Sequence, residues 1–157
     1  IRDTIEREPG VLGIHDLMVH NYGPGKIFAS IHIEVDADGD LLKSHDMIDN
    51  IERMVKKTLH IEFVAHMDPV VTSDPLIEKL KALLTDTFSV TDGVDTVHDL
   101  RIVPGPTHTN IIFDVVLSPS CQYKESTLRN MANNALKSVD PNYYAVITFD
   151  KAYTQLD

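Results

Sequence analysis

The chain repeats itself, and this repeat constrains its fold more than any other feature of the sequence. VLGIHDLMVH at residues 11–20 resembles VDTVHDLRIV at residues 94–103, and both segments carry His-Asp-Leu within an apolar run. His98 follows His15 by 83 residues in a chain of 157. Self-similarity at this spacing predicts two copies of one structural unit, each of about eighty residues.

Landmarks near the ends of the two copies keep the same spacing. Asp150 follows Asp68 by 82 residues, and each stands at the end of a predicted strand. We therefore predict two domains, residues 1–70 and residues 71–157, of which the second is a degenerate repeat of the first.

Hydrophobic periodicity gives the order of elements within each unit. Apolar and polar residues alternate over residues 27–35, which is the period of a strand. Asp40 and Asp74 are placed to cap helices. For the first unit we predict helices over 1–8 and 41–59 and strands over 13–20, 27–35 and 61–67, the last stopped by Asp68-Pro69. For the second we predict helices over 75–88 and 123–138 and strands over 96–103, 110–118 and 143–150. Each unit is thus α-β-β-α-β, an α+β fold whose three-stranded sheet is backed by helices on one face.

Composition excludes several classes of function. The 24 acidic residues outnumber the 14 Lys and Arg, giving a net charge of −10 that disfavours nucleic acid and anionic lipid as partners. The single cysteine cannot form an internal disulfide, which fits a reducing compartment. No run of eighteen apolar residues is present to span a membrane. Because the chain begins at Ile1 rather than Met, we expect it to be a piece of a longer protein.

Four histidines and one aspartate of the first unit are predicted to lie near one face of its sheet. His32 alternates with the apolar residues of the second strand, so it lies opposite the face that meets the helices. His66 and Asp68 are two residues apart and share a face at the end of the third strand. His15 lies across the hairpin from His32, and His45 stands near the start of the helix.

Imidazole and carboxylate are ligands that divalent transition metals favour. Five such groups exceed the needs of one tetrahedral ion, but they suit two ions if Asp68 bridges them with one oxygen each. A half-buried histidine often only makes hydrogen bonds, so the spacing by itself leaves a structural role and a metal-binding role both open.

Four segments in order resemble one known family. VLGIHDLMVH, FASIHIEVD, LLKSHDMIDNIE and FVAHMDPV are similar to the cytosolic C-terminal domain of cation diffusion facilitator (cation efflux) transporters. In that family the domain has a metallochaperone-like, ferredoxin-like fold and forms a dimer below a transmembrane zinc or manganese antiporter. The resemblance implies a two-metal site whose ligands here are His15, His32, His45, His66 and Asp68.

The resemblance implies a regulatory, metal-sensing role rather than an enzymatic reaction. The chain would form a homodimer at the cytoplasmic face of the cell membrane, attached to a transmembrane domain that this chain lacks. Zn²⁺ is the expected ion, and Mn²⁺, Co²⁺, Ni²⁺ and Cd²⁺ have overlapping preferences for these ligands.

Two alternatives from other classes remain open. A carboxylate-bridged metal pair is also the centre of two-metal hydrolases, although this ligand set has few carboxylates. A ferredoxin-like domain that binds a small molecule, with purely structural histidines, is the second alternative.

The second unit keeps only part of the ligand set. Asp114 replaces the histidine of its second strand, and Thr148 replaces that of its third. We expect a scaffold that has lost the two-metal site. The residues that would still hold one weakly bound ion are His98, Asp114 and Asp150.

Other polar residues give weaker signals. Glu34 shares the face of His32, where it either supports a metal ligand or is solvated, and we favour the solvated alternative. His20 and His60 have no partner at an informative spacing, so we interpret both as surface residues.

Overall fold

The computed structural model describes residues 1–151. The chain divides into two compact units, Ile1–Val70 and Val71–Asp157, and each is described by itself. Each unit has one three-stranded sheet and the element order α-β-β-α-β, so the predicted α+β class and tandem units are confirmed. Within the described residues, no helix is both long and apolar enough to cross a membrane.

The first unit folds around a sheet in which the middle strand is the second in the chain. Its elements are α1 (Arg2–Ile5), β1 (Gly13–Asn21), β2 (Ile27–Asp36), α2 (Leu41–Leu59) and β3 (Glu62–Val70). β1 and β2 form an antiparallel hairpin, and β3 pairs parallel to β2. The parallel pair needs a crossover, which α2 supplies. α1 is shorter than the helix predicted over residues 1–8.

Local chemistry sets the bounds of α2. The Asp40 side chain accepts hydrogen bonds from the backbone N–H groups of Leu42 and Lys43, as expected of an N-cap. The helix ends at Leu59, and the C-cap residue His60 has a left-handed φ of 54°. The helix buries an apolar stripe formed by Ile48, Ile51 and Val55.

The sheet of the first unit has one apolar face and one polar face. Ala29, Ile31 and Ile33 of β2 are at most 1% exposed and pack into the core with α2. His32 and Glu34 alternate with them and lie on the opposite face. Burial of the Ile and Ala face therefore fixes which way the polar residues point.

The second unit repeats this architecture. Its elements are α3 (Pro75–Phe88), β4 (Val94–Val103), β5 (Thr109–Leu117), α4 (Glu125–Val139) and β6 (Tyr143–Lys151). β4 and β5 are antiparallel, and β6 is parallel to β5. Its core is centred on Phe113, Leu84 and Leu128, each fully buried.

An irregularity occurs at the same place in both sheets. The ladder of β1 and β2 shifts between His15 and Met18, and that of β4 and β5 shifts between His98 and Arg101. The residue after each histidine, Asp16 or Asp99, has a φ of 50°. Such a bulge redirects the side chains that follow it.

The prediction that Asp68-Pro69 ends the third strand is wrong. β3 continues to Val70, and Pro69 pairs in register with Val35. β3 lies at the edge of the sheet, so the missing N–H of Pro69 is tolerated on the unpaired side. As a result Asp68 is a strand residue held in the sheet.

Candidate metal centre

Strand register brings the polar residues of the first unit into two adjacent rows. His15 pairs with His32, and His32 pairs with His66 on its other side. Glu34 pairs with Asp68 in the next row on the same face. Residues that are paired across strands point to the same side of a sheet, so all five side chains converge.

Asp68 is the centre of this group because three imidazoles approach its carboxylate. Its Oδ2 lies 3.2 Å from His15 Nε2 and 2.9 Å from His32 Nδ1. Its other oxygen, Oδ1, lies 3.3 Å from His66 Nε2. The two oxygens therefore face different histidines.

The group runs from the protein interior to solvent. The side chains of His15 and Asp68 are 3% and 8% exposed, whereas those of His32 and His66 are 39% and 66% exposed. The His32 ring lies between the other two, with ring centroids 4.9 Å from His15 and 4.8 Å from His66. A cation therefore has an open path to the group from the His66 side.

Glu34 is buried, which contradicts the interpretation of it as a solvated side chain. It is 1% exposed, and its Oε1 lies 3.1 Å from His15 Nδ1. Gly13 on β1 leaves room for this carboxylate, since a Cβ there would lie 2.7 Å from Glu34 Oε2. With Nδ1 engaged by Glu34, Nε2 of His15 is directed at Asp68.

The electrostatics of the group favour charged forms in spite of burial. Burial alone would lower the pKa of His15, but its hydrogen bonds to Asp68 and Glu34 raise that pKa to about 9. Burial alone would raise the pKa of Asp68, but hydrogen bonds to His15 and His32 hold it well below its ordinary value. At neutral pH the metal-free group therefore contains an imidazolium beside a carboxylate.

The spacing of the donor atoms fits a small divalent cation. Ligand atoms of His15, His32 and Asp68 all lie within 4.8 Å of one another. Tetrahedral ligands at about 2.0–2.1 Å from Zn²⁺ are separated by roughly 3.3 Å. The contacts of 3.2 and 2.9 Å to Asp68 Oδ2 are close to that separation.

Two predicted ligands, His66 and His45, lie outside the set of His15, His32 and Asp68, and His66 contacts Asp68 alone among them by an ion pair. His45 is exposed in the first turns of α2, and its part in metal binding stays a prediction.

Comparison with known proteins points to the same part of the chain. Residues 1–70 match the family model of the cation efflux protein, cytoplasmic domain. The resemblance expected from the four sequence segments is therefore confirmed for the first unit.

Curated relatives match over the same region. The chain is 31% identical to the cation-efflux pump FieF of Pectobacterium carotovorum subsp. carotovorum (strain PC1) over 71 residues, which is 45% of this chain and 23% of that protein. It is 31% identical to the cation-efflux pump FieF of Salmonella typhi over 70 residues, 44% of this chain and 23% of that protein. The chain thus spans about a quarter of the length of the curated relatives it matches.

The second unit brings together a different set from the one predicted. His98, Asp99 and Asp114 place ligand atoms within 4.8 Å of one another, with Asp99 in place of the expected Asp150. Asp150 is exposed and pairs with Val116, although its charge is near enough to act on Asp114. Burial raises the pKa of Asp114, against the opposing influence of a neighbouring arginine.

The prediction of a solvated Glu34 is therefore wrong, and Asp99 is a member of the second cluster that was not predicted. For Glu34 the available signal was its place two residues after His32 on an alternating strand. For Asp99 no periodic signal existed, because its position depends on a left-handed bulge residue.

Proposed function

We propose that the first unit is a metal-sensing regulatory domain that binds divalent cations at His15, His32, His66 and Asp68, with His45 as a fifth ligand. The observation that carries this proposal is the arrangement around Asp68, whose two oxygens face different histidines. That arrangement suits two ions bridged by one carboxylate. His and Asp donors fit Zn²⁺, and Mn²⁺, Co²⁺, Ni²⁺ and Cd²⁺ are compatible with the same set.

Residues of the site couple metal binding to proton release. A divalent cation, when bound, supplies the positive charge that the His15 imidazolium supplies in its absence. His15 must lose its proton to offer Nε2 as a ligand, so binding is coupled to proton release. Glu34 holds the His15 ring in place during this exchange.

The proposed ligands differ in exposure, and therefore in their freedom to move when an ion binds. His15 and Asp68 are fixed in the interior, whereas the exposed His66 and His45 have freedom to move toward an ion. A ligand shifts a conformational equilibrium only by its different affinities for the two states. A state in which the exposed histidines are close to Asp68 would bind the ion more tightly than a state in which they are apart. We propose that this difference in affinity favours closure of a homodimer.

The family match supports a place for this domain in a larger protein. We propose that it belongs to a divalent-cation efflux transporter, lies at the cytoplasmic face of the cell membrane and is joined to a transmembrane domain. In that setting the domain regulates transport and catalyses no reaction of its own.

A calorimetric titration of Zn²⁺ into the metal-stripped chain at neutral pH tests the site. We expect two equivalents per chain, both weakened in Asp68→Ala. Asp38→Ala, in the exposed turn after β2, is the matched control and should bind like the wild type. An absence of binding at micromolar Zn²⁺ would leave the histidines structural. Zinc-dependent turnover of a phosphoester that is lost in Asp68→Ala would favour a two-metal hydrolase instead.

Dimer closure requires a separate measurement. Sedimentation velocity and small-angle scattering, with and without Zn²⁺, report association and compactness. We expect a more compact dimer with Zn²⁺ in the wild type and no response in Asp68→Ala. An unchanged profile in a wild type that binds two equivalents would refute closure while leaving the site intact.

A further inference from the structure

The second unit repeats the geometry of the metal centre with different side chains. His98 pairs with Asp114 as His15 pairs with His32, and the bulge after the histidine is the same. The backbone frame that aims His15 into its site is therefore present in the second unit. What differs is the set of side chains on that frame.

Arg101 replaces the equivalent of Met18, and this difference places a positive charge beside the cluster of the second unit. It lies three residues after His98, at the position that Met18 has after His15, and it pairs with Ile112 two residues from Asp114. Because the bulge lies between His98 and Arg101, both face the Asp114 side of the sheet. Met18 is 55% exposed, whereas the Arg101 side chain is 15% exposed.

The guanidinium of Arg101 lies against the polar cluster. Its Nη1 is 3.6 Å from Asp114 Oδ1, and it donates a hydrogen bond to the backbone oxygen of Asp99. Asp114 Oδ1 is buried and has no hydrogen-bond partner within residues 1–151. His98 Nδ1 lies 3.0 Å from Asp99 Oδ2. One histidine and two carboxylates are thus held together beside one fixed positive charge.

We propose that His98, Asp99 and Asp114 form a latent divalent-cation site that is closed by Arg101. The arginine supplies the positive charge that a metal ion would bring to the Asp114 carboxylate. A guanidinium keeps its charge at all accessible pH values, so a cation can enter only if the whole side chain leaves. The cluster of the second unit should therefore keep the same side-chain conformation in the presence and in the absence of metal.

The two units would then differ in their response to metal. If the first unit responds to metal as proposed above, the second is a constant counterpart built on the same frame. Besides the changes at His32 and His66, which are Asp114 and Thr148 in the second unit, the position of Met18 and Arg101 is where the second unit gains a positive charge beside its cluster.

Removing the arginine is the first arm of the test. The metal-stripped chain is titrated with Zn²⁺ as wild type, Arg101→Met and Arg101→Met/Asp114→Ala, with the exposed Arg53→Met as the matched control. We expect Arg101→Met to gain one equivalent that the double variant loses. Stoichiometry equal to the wild type in Arg101→Met would overturn the proposal.

Thermal unfolding guards against a folding defect in that variant. Arg101→Met leaves Asp114 without its cation, so we expect a lower Tm in EDTA and recovery with Zn²⁺. Arg101→Gln, which keeps a polar side chain, should behave in the same way. A loss of Tm that Zn²⁺ does not restore in either variant would show a purely structural ion pair and refute the latent site.

Placing an arginine in the first unit is the second arm, and this arm alone rests on the proposed function. Met18→Arg should weaken Zn²⁺ binding by roughly 10- to 100-fold through charge repulsion, while Met18→Leu leaves it unchanged. Unchanged affinity in Met18→Arg would contradict the role assigned to this position. If the wild type binds no Zn²⁺, the proposed function fails, yet a gain from none to one equivalent in Arg101→Met still supports the latent site.

Discussion

His15 and Glu34 form a hydrogen-bonded pair at the buried end of the candidate metal centre. Nδ1 of the imidazole lies 3.1 Å from Oε1 of the carboxylate, and the side chains are 3% and 1% exposed. Because Nδ1 is engaged in this way, Nε2 faces Asp68 at 3.2 Å. A carboxylate behind a metal-binding histidine fixes its tautomer and its ring orientation.

Glu34→Gln should weaken metal binding without changing its stoichiometry. The amide keeps the size of the side chain but loses the charge that orients and polarises His15. We expect an affinity for Zn²⁺ about tenfold lower, measured by competition with a chelator of known affinity. Glu62→Gln, on the same sheet but exposed, is the control. Equal affinities in the two variants would mean that Glu34 has no influence on the site.

Gly13→Ala should disturb the same pair from the neighbouring strand. The added Cβ would lie 2.7 Å from Glu34 Oε2 and 3.0 Å from its Cδ, so the buried carboxylate must move. We expect weaker Zn²⁺ binding, similar in size to that of Glu34→Gln, and no further loss when both changes are combined. Additive losses in the double variant would indicate that Gly13 acts through another contact.

The charged pair of His15 and Asp68 should make the stability of the metal-free chain depend on pH. The raised pKa of His15, about 9 against 6.5, gives a contribution that is complete below about pH 6.5 and lost as pH rises through 9. The pKa of Asp68 is lowered, so its contribution is present above its ordinary value of 3.8 and lost as pH falls. We expect the highest Tm between these limits.

The alkaline side of this profile can be assigned to one residue. A shift of this size corresponds to about 3 kcal/mol in the free energy of unfolding. His15→Asn keeps a donor near Glu34 but has no Nε2, so its Tm in EDTA should change much less between pH 7 and 10. An equal decline in wild type and variant would place the titrating group elsewhere.

Local sequence signals predict the order of helices and strands and the bounds of α2, whereas α1 is shorter than predicted. The Asp40 cap and the apolar stripe predict a helix from Leu41 to about Leu59, in agreement with α2. The end of β3 was not predictable in this way, because Pro69 is tolerated only where a strand lies at a sheet edge. Edge position is a property of the assembled sheet and is absent from the local sequence.

The residues that make up the two candidate sites could likewise be predicted only in part from the sequence. Alternation placed His32 correctly opposite the core, but the burial of Glu34 depends on the close approach of Gly13 from another strand. In the second unit, the match of Asp150 to Asp68 at the repeat spacing predicts Asp150 as a ligand, whereas the bulge brings Asp99 into the cluster. Alternation gives the face on which Glu34 lies but not its burial, and neither alternation nor the repeat spacing predicts the effect of the bulge at Asp99.

If Asp68 bridges two ions as proposed, each ion should be removable separately. His15 Nε2 faces Oδ2, and His66 Nε2 faces Oδ1. His66→Ala should therefore lose one equivalent of Zn²⁺ and keep the other, and His15→Asn should lose the opposite one. Metal content after dialysis gives the stoichiometry, and the exposed His20→Ala is the control, expected to keep both. If either variant lost both equivalents, or if each lost none, the idea of a bridging Asp68 with one ion on each oxygen would have to be abandoned.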